Sequence, residues 1–175
     1  MSDWFFLEEA DYNEILRLSR LYHREAGRCG KAKAYVAGCA MAGAALEAAL
    51  LAMLHLYGEE VQAAGFAAMK KGQPKQLLEW TLAEMLAVAV RMEWLPAALP
   101  RGATWSTRKA RIGDYAEWVR QLRNLIHPAR YLRDHSPARV TRGYAARSLE
   151  IFEAAGQHLL ARVEVSMRKD LHLDE

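Results

Sequence analysis

The sequence contains only two cysteines, Cys29 and Cys39, in 175 residues. Two thiols provide neither a disulfide framework nor a set of metal ligands, and free cysteine in Ala-rich helical sequence behaves as a small apolar residue. The first residues lack the basic start and the long apolar core of a signal peptide. The longest uncharged run, residues 34–46, is too short to span a bilayer. These absences predict a cytoplasmic protein that does not enter a membrane.

Common motifs of phosphate, acyl and metal chemistry are absent as well. The sequence has no Gly-rich phosphate loop, no nucleophile elbow and no His-Glu-x-x-His zinc helix. Its six histidines are scattered and have no acidic partner at a metal-ligand spacing. We therefore expect neither a metal site nor a cofactor.

Alternating strand patterns are lacking, whereas helical periodicity runs through every long segment. The hydrophobic share of 52% predicts a folded chain. We predict an all-α, up-and-down bundle of five to six helices, forming one domain of residues 1–175 with its core at about 11–168 and peripheral ends. Helices are predicted at residues 11–26, 31–57, 59–69, 75–93 and 114–127, and from a Thr141 cap to about residue 168. Gly27 and Gly30 predict a break after the first helix, and residues 96–107 and 128–139 predict connectors.

The predicted helix over residues 31–57 is apolar on nearly all sides. Such a helix belongs at the centre of a bundle or against a second subunit. One small bundle would not easily cover all of it, so we expect a homodimer.

Charge is distributed unevenly along the chain. Residues 101–147 carry a net charge of +8, and the rest of the chain carries −5. A basic segment on an otherwise acidic protein favours an anionic partner, with RNA or a nucleotide first. Within this segment Arg130 and Arg133 are weaker candidate binding residues. The alternative is an ordinary charged surface.

Four polar residues near the end of the fifth predicted helix form one stripe. At about 100° per residue, Arg120, Arg123, Asn124 and His127 fall within about 100° of each other, opposite the apolar face. Two guanidiniums, an amide and an imidazole could bind a phosphate and transfer protons to or from a nearby hydroxyl. The alternative is a solvated helix face ended by Pro128.

Glu47 lies within the most apolar predicted helix. A buried carboxylate needs a partner or becomes neutral. Either Glu47 lies on one exposed edge of that helix, or it pairs with an arginine of the basic segment and helps to position it.

The stretch Leu122-Arg-Asn-Leu-Ile-His-Pro128, followed by Ala-Arg-Tyr131, resembles the signature helix of HEPN (higher eukaryotes and prokaryotes nucleotide-binding) domains. The Ala-rich stretch Ala44-Ala-Leu-Glu-Ala-Ala-Leu50 resembles an early helix of the same superfamily. The resemblance implies a helical bundle that dimerises and places two Arg…His motifs across a shared cleft. Many members are metal-independent ribonucleases, often of toxin–antitoxin or defence systems with an antitoxin-type protein partner, and others are inactive binding modules.

The family motif has four to six residues between arginine and histidine, often with a polar residue directly after the arginine. In this chain Arg123 is followed by Asn124 but is separated from His127 by only three residues. Arg120 has the expected spacing, with six residues before His127, but is followed by Gln121.

Two functions are consistent with these residues. In a ribonuclease, His127 would act as general acid or base, Arg123 or Arg120 would stabilise the charged phosphorane, and Asn124 would orient the phosphate or the imidazole. In a non-catalytic module, the same stripe would bind RNA, a nucleotide or an acidic protein, or would seal a dimer. The shortened spacing favours the binding module.

Overall fold

Two long helices, α1 (Glu9–Lys31) and α2 (Tyr35–Leu56), form an antiparallel pair at the centre of the computed structural model. The structure describes residues 6–95, 119, 120, 123, 127 and 140–170. Further helices are α3 (Gly58–Ala63), α4 (Leu82–Arg91) and α5 (Arg142–Asp170). The only sheet in this part of the chain is a two-stranded hairpin, β1 (Met69–Lys70) and β2 (Gln73–Pro74). The predicted all-α class is confirmed.

Contacts along α1 and α2 establish their antiparallel register. The Leu7 backbone N–H donates to Nδ1 of His55 at 3.1 Å. Farther along, the Ser19 hydroxyl donates to the Ala45 carbonyl at 3.1 Å. Pairs formed later in α1 therefore fall earlier in α2, and three residues suffice to connect the helices.

The predicted break at Gly27 and Gly30 is wrong, because α1 continues through both to Lys31. Glycine costs only about 1 kcal/mol relative to alanine inside a helix, which tertiary packing can outweigh. The helix instead ends in a Schellman motif. The Ala34 N–H donates to the Cys29 carbonyl and the Lys33 N–H to the Gly30 carbonyl. Lys33 adopts the left-handed conformation, with φ 61°, that the motif requires.

Helix α5 runs parallel to α2 and antiparallel to α1. The Ser148 hydroxyl lies 3.5 Å from Cys39 Sγ, and the Tyr57 hydroxyl donates to the Arg162 carbonyl at 3.4 Å. On the other side of α5, His23 of α1 lies 3.2 Å from a Glu153 oxygen. The predicted last helix, beginning after Thr141, is confirmed.

The region between α2 and α4 is less helical than predicted. Instead of helices over residues 59–69 and 75–93, the chain forms the short α3, the hairpin and a 3-10 turn (Leu77–Glu79) before α4. Helix α4 begins at a capping box in which the Thr81 side chain accepts from the Glu84 N–H and Glu84 accepts from the Thr81 N–H. The Thr-x-x-Glu pattern marks this start in the sequence.

One apolar cluster joins α2, α4 and α5. Its fully buried side chains include Leu46, Leu50, Leu54, Met85 and Ile151. Helix α2 is long and apolar enough to cross a membrane by length and composition alone, but 61% of its candidate membrane window is buried inside the protein. Most of the apolar surface of α2 is therefore covered within one chain. The composition of α2 alone no longer supports the expectation of a dimer.

The predicted connectors at residues 96–107 and 128–139 lie outside the described residues, as does most of the predicted helix 114–127. Val119, Arg120 and Arg123 are helical, and His127 lies in a bend, so the predicted helix does not include residue 127. We refer to these four residues as the Arg123 segment. Val119 is completely buried in the main core and so fixes the segment to the bundle.

Candidate functional site

Arg123 lies on α2 at a position where the helix has no side chain. A Cβ atom built on Gly43 would come within 2.6 Å of the Arg123 Cβ and 3.0 Å of its Cγ. Real Cβ atoms essentially never approach so closely, so only glycine at position 43 accommodates this path of the arginine side chain. Gly43 thus admits Arg123 to the surface of α2.

The Arg123 guanidinium reaches Glu47, one helical turn after Gly43. Nη2 of Arg123 lies 2.6 Å from Oε2 of Glu47. The Arg123 side chain is 32% exposed and that of Glu47 23%, so both charges are largely withdrawn from water. Of the two alternatives for Glu47, an exposed edge of the helix or a pair with an arginine of the basic segment, the structure has the pair. Whether the pair serves a binding or catalytic site stays a prediction.

Burial decides the electrostatics of Glu47. Burial raises the pKa of the Glu47 carboxyl above its usual value, and the charge of Arg123 offsets part of the rise. A carboxylate in this place therefore depends on its arginine to remain ionised. Equally, an arginine held at 2.6 Å by a carboxylate has much of its charge neutralised before any phosphate arrives.

The other residues of the predicted stripe are placed differently. Arg120 is partly buried and His127 is exposed. Asn124, Arg130 and Arg133 lie outside the described residues. The structure thus brings Arg123 to Glu47, and it leaves His127 exposed in a bend.

Gly43 was not among the site residues predicted from the sequence. Its signal was present, since residues four apart share one face of a helix and Gly43 precedes Glu47 by four. A glycine there opens a path along which a long side chain can reach the carboxylate.

The described residues contain no group of three or more histidines, cysteines, aspartates or glutamates that could hold a metal ion. Two guanidiniums and an exposed imidazole can bind anions and transfer protons.

Comparison with protein-family models, curated proteins and solved structures finds no match to this chain. Arg120, Arg123, His127 and Glu47 are thus candidate site residues on their geometry and charge.

Proposed function

We propose that this chain is a cytoplasmic, HEPN-like helical module that binds RNA without cleaving it and works as a homodimer. The observation that carries the proposal is the 2.6 Å pairing of Arg123 with Glu47. An arginine that stabilises a phosphorane must offer its charge to the reacting phosphate. Here that charge is engaged by Glu47 within the protein, so Arg123 anchors the Arg123 segment on α2. The other basic residues of 101–147 then contact the phosphate backbone of RNA.

The net charge of +8 over residues 101–147 supports RNA as the partner. Neutralising phosphates with arginine and lysine releases counterions, and this favours binding at low salt. The proposed dimer rests on the HEPN resemblance and on apolar side chains at the surface. Leu56 and Leu160, for example, are exposed beside a groove between α1, α2 and α5.

RNA binding is tested by charge reversal with single-stranded RNA at several salt concentrations. We expect Arg120→Glu to weaken binding about tenfold, and log affinity to fall with log salt at a slope of roughly 0.7 per phosphate contacted. Reversal of Arg17 and Arg20 on α1 is the control. Equal losses of RNA affinity in the Arg120 variant and in the control would contradict a specific basic face. Binding of an acidic protein in place of RNA would make that protein the partner.

A charge swap separates a structural role of Arg123 from direct contact with RNA. Arg123→Glu alone places two carboxylates together and is expected to disturb the fold. The double variant Arg123→Glu with Glu47→Arg restores an ion pair and leaves the net charge unchanged. If Arg123 acts by anchoring the segment, the swap recovers both stability and RNA binding. If the charge swap recovered stability but not RNA binding, the Arg123 guanidinium would be in direct contact with the RNA phosphate.

A metal-independent ribonuclease is the second candidate, favoured by the exposed His127 four residues after Arg123. Cleavage would then survive chelation by EDTA and leave 2′,3′-cyclic or 3′-phosphate ends. His127→Ala would reduce the rate by about two to four orders of magnitude and leave the helical signal intact. Structured and unstructured RNAs that remain uncut would eliminate this candidate.

A further inference from the structure

A cavity of about 420 Å³ lies where the end of α1 meets the first turns of α2 and α5. We call it the helix-end cavity. It is separate from the Arg123 site, which occupies α2 at Gly43 and Glu47. Small-molecule sites commonly have volumes of about 300–1,000 Å³. The cavity is thus large enough for a small organic ligand.

The inner wall of the helix-end cavity is apolar. Buried Ala26 and Ala145 contribute to it, together with the partly buried Leu149 and Tyr35. Gly27 and Gly30 also line it, and a Cβ atom at either would meet nothing within 4 Å. Two consecutive openings on one side of α1 therefore create space that ordinary helix residues would fill. The wall suits an apolar group.

The outer part of the cavity is cationic. Lys31, Lys33 and Arg142 line it, and among the residues that the structure describes no acidic one does. Within the described residues none of these three cations forms an ion pair, whereas several others do, as in Arg17–Glu14 and Lys75–Glu84. Three unneutralised positive charges around one cavity favour an anion, and a dianion more than a monoanion.

Lys33 occupies a position that glycine normally takes. Its φ of 61° lies in the left-handed region, which costs a non-glycine residue roughly 1–2 kcal/mol. Glycine is the usual residue at this place of a Schellman motif. A lysine here gives up backbone stability and adds an ammonium group to the cavity. Strained positions of this kind are concentrated at functional sites.

The first turns of α2 and α5 line the cavity together with the last turn of α1, whose basic residues Arg28 and Lys31 offset the negative end of that helix. Tyr35 and Arg142, the first residues of α2 and α5, both line the cavity. Neither helix has an acidic residue in its first turn, and α2 has no side-chain cap. By contrast, α1, α3 and α4 all carry acidic residues there. Unneutralised helix starts favour anions.

We propose that the helix-end cavity binds a small phosphate monoester, with its apolar body against the inner wall and its dianionic phosphate between Lys31, Lys33 and Arg142. The apolar wall selects an organic ligand over a bare ion, and the three cations select phosphate over a neutral analogue. This inference does not depend on RNA binding at the Arg123 segment.

Isothermal titration calorimetry of the full chain with three probes tests the proposal. We expect 1-naphthyl phosphate to bind one-to-one and at least tenfold more tightly than inorganic phosphate. Its affinity should decrease with added salt. Adenosine monophosphate distinguishes a nucleotide ligand from other organic phosphates. If it binds more tightly than 1-naphthyl phosphate, the ligand is a nucleotide, and if it binds more weakly, the ligand is another organic phosphate. No binding of any probe at millimolar concentration would overturn the proposal, as would equal affinity for inorganic phosphate.

Three variants locate the binding, and a fourth serves as the control. Lys33→Glu should weaken naphthyl phosphate binding at least about tenfold. Lys71→Glu is the matched control, because Lys71 is an exposed lysine with φ 53° in the distant hairpin. Gly30→Leu should fill the cavity and abolish binding with the helical signal unchanged, and Gly27→Leu repeats the test if that variant fails to fold. Equal losses in Lys33→Glu and Lys71→Glu, or full binding in both leucine variants, would overturn the site.

Discussion

The Arg123 side chain and Gly43 lie so close together that a Cβ atom at position 43 would come within 2.6 Å of the Arg123 Cβ. The arginine then extends along α2 to Glu47, with 2.6 Å between the charged groups. The absence of one methyl group on α2 thus permits an ion pair between two segments about 75 residues apart in the chain.

Alanine at position 43 should be destabilising, whereas alanine at Gly27 or Gly30 should be stabilising. Gly43→Ala forces Arg123 away from α2 and is expected to lower the free energy of unfolding by about 1–3 kcal/mol. At Gly27 and Gly30 nothing lies within 4 Å of the added methyl group. The better helix propensity of alanine should raise the free energy of unfolding by up to about 1 kcal/mol at each position. Urea denaturation measures all three. A neutral Gly43→Ala would show that Arg123 can take another path.

The Glu47–Arg123 pair should behave as a coupled unit. Arg123→Met leaves Glu47 largely buried without its counter-charge and is expected to cost about 1–2 kcal/mol. The double variant with Met at both positions should recover most of that loss, because no unpaired charge remains. A double-mutant cycle from urea denaturation gives the coupling free energy.

The exposed Arg17–Glu14 pair is the control for this cycle. Its charged groups are also 2.6 Å apart, but both side chains are more than half exposed. Arg17→Met should therefore leave stability unchanged, since solvent screens exposed pairs. Similar coupling in both pairs would mean that burial does not distinguish them.

Stability should fall as the pH decreases below about 6.5 because of His55. Burial lowers the pKa of His55 from its ordinary 6.5, and Nδ1 accepts the Leu7 N–H only in the neutral form. Below the ordinary value the unfolded chain binds a proton that the folded chain resists, so lower pH favours unfolding. His55→Asn retains an acceptor and cannot titrate in this range.

Thermal unfolding at pH 7.5 and 5.5 checks this prediction. The difference in Tm between the two pH values should be smaller in His55→Asn than in the natural chain. His158→Asn on α5 is the matched control and should retain the full difference. The same pH response in both variants would remove His55 as the cause.

Glycine at two helix ends should stabilise the protein. Lys33 and Glu93 both have positive φ, and each lies where its helix, α1 or α4, ends in backbone hydrogen bonds of the Schellman type. Lys33→Gly and Glu93→Gly should each raise the free energy of unfolding by about 1 kcal/mol, or Tm by roughly 2–4 °C. Ala32→Gly, at an ordinary φ of −78°, should be destabilising instead. If Lys33→Gly and Glu93→Gly both lowered the free energy of unfolding, this account would be contradicted.

Periodicity and local caps account for what the sequence predicted well. The all-α class, the central position of α2 and the start of α5 after Thr141 follow from apolar spacing in long segments. The same rule failed at residues 27–30 because the penalty of a helical glycine is small compared with packing. It failed again before α4, where a helix over residues 75–93 was predicted although Thr81 and Glu84 mark the start.

The candidate site was predictable in its residues and not in its geometry. Helical angles placed Arg120 and Arg123 on one stripe, and an apolar helix implied that Glu47 needs a partner. The same angles do not apply to His127, because it lies in a bend. Which arginine pairs with Glu47 depends on tertiary packing between segments distant in sequence. The helix-end cavity was missed for the same reason, since Gly27, Gly30 and Lys33 acquire their roles only when α5 lies beside α1.

The parallel course of α2 and α5 has a consequence for the protein's synthesis. Contacts between these helices join residues 105 to 109 positions apart, as in Tyr57–Arg162 and Cys39–Ser148. At about 5–20 residues per second, a ribosome needs roughly 5–20 s to make that length of chain. During this interval the α1–α2 hairpin has emerged, while the side of α2 that α5 will cover is still open to water. The apolar surface of the nascent hairpin is then available to chaperones or to other unfinished chains.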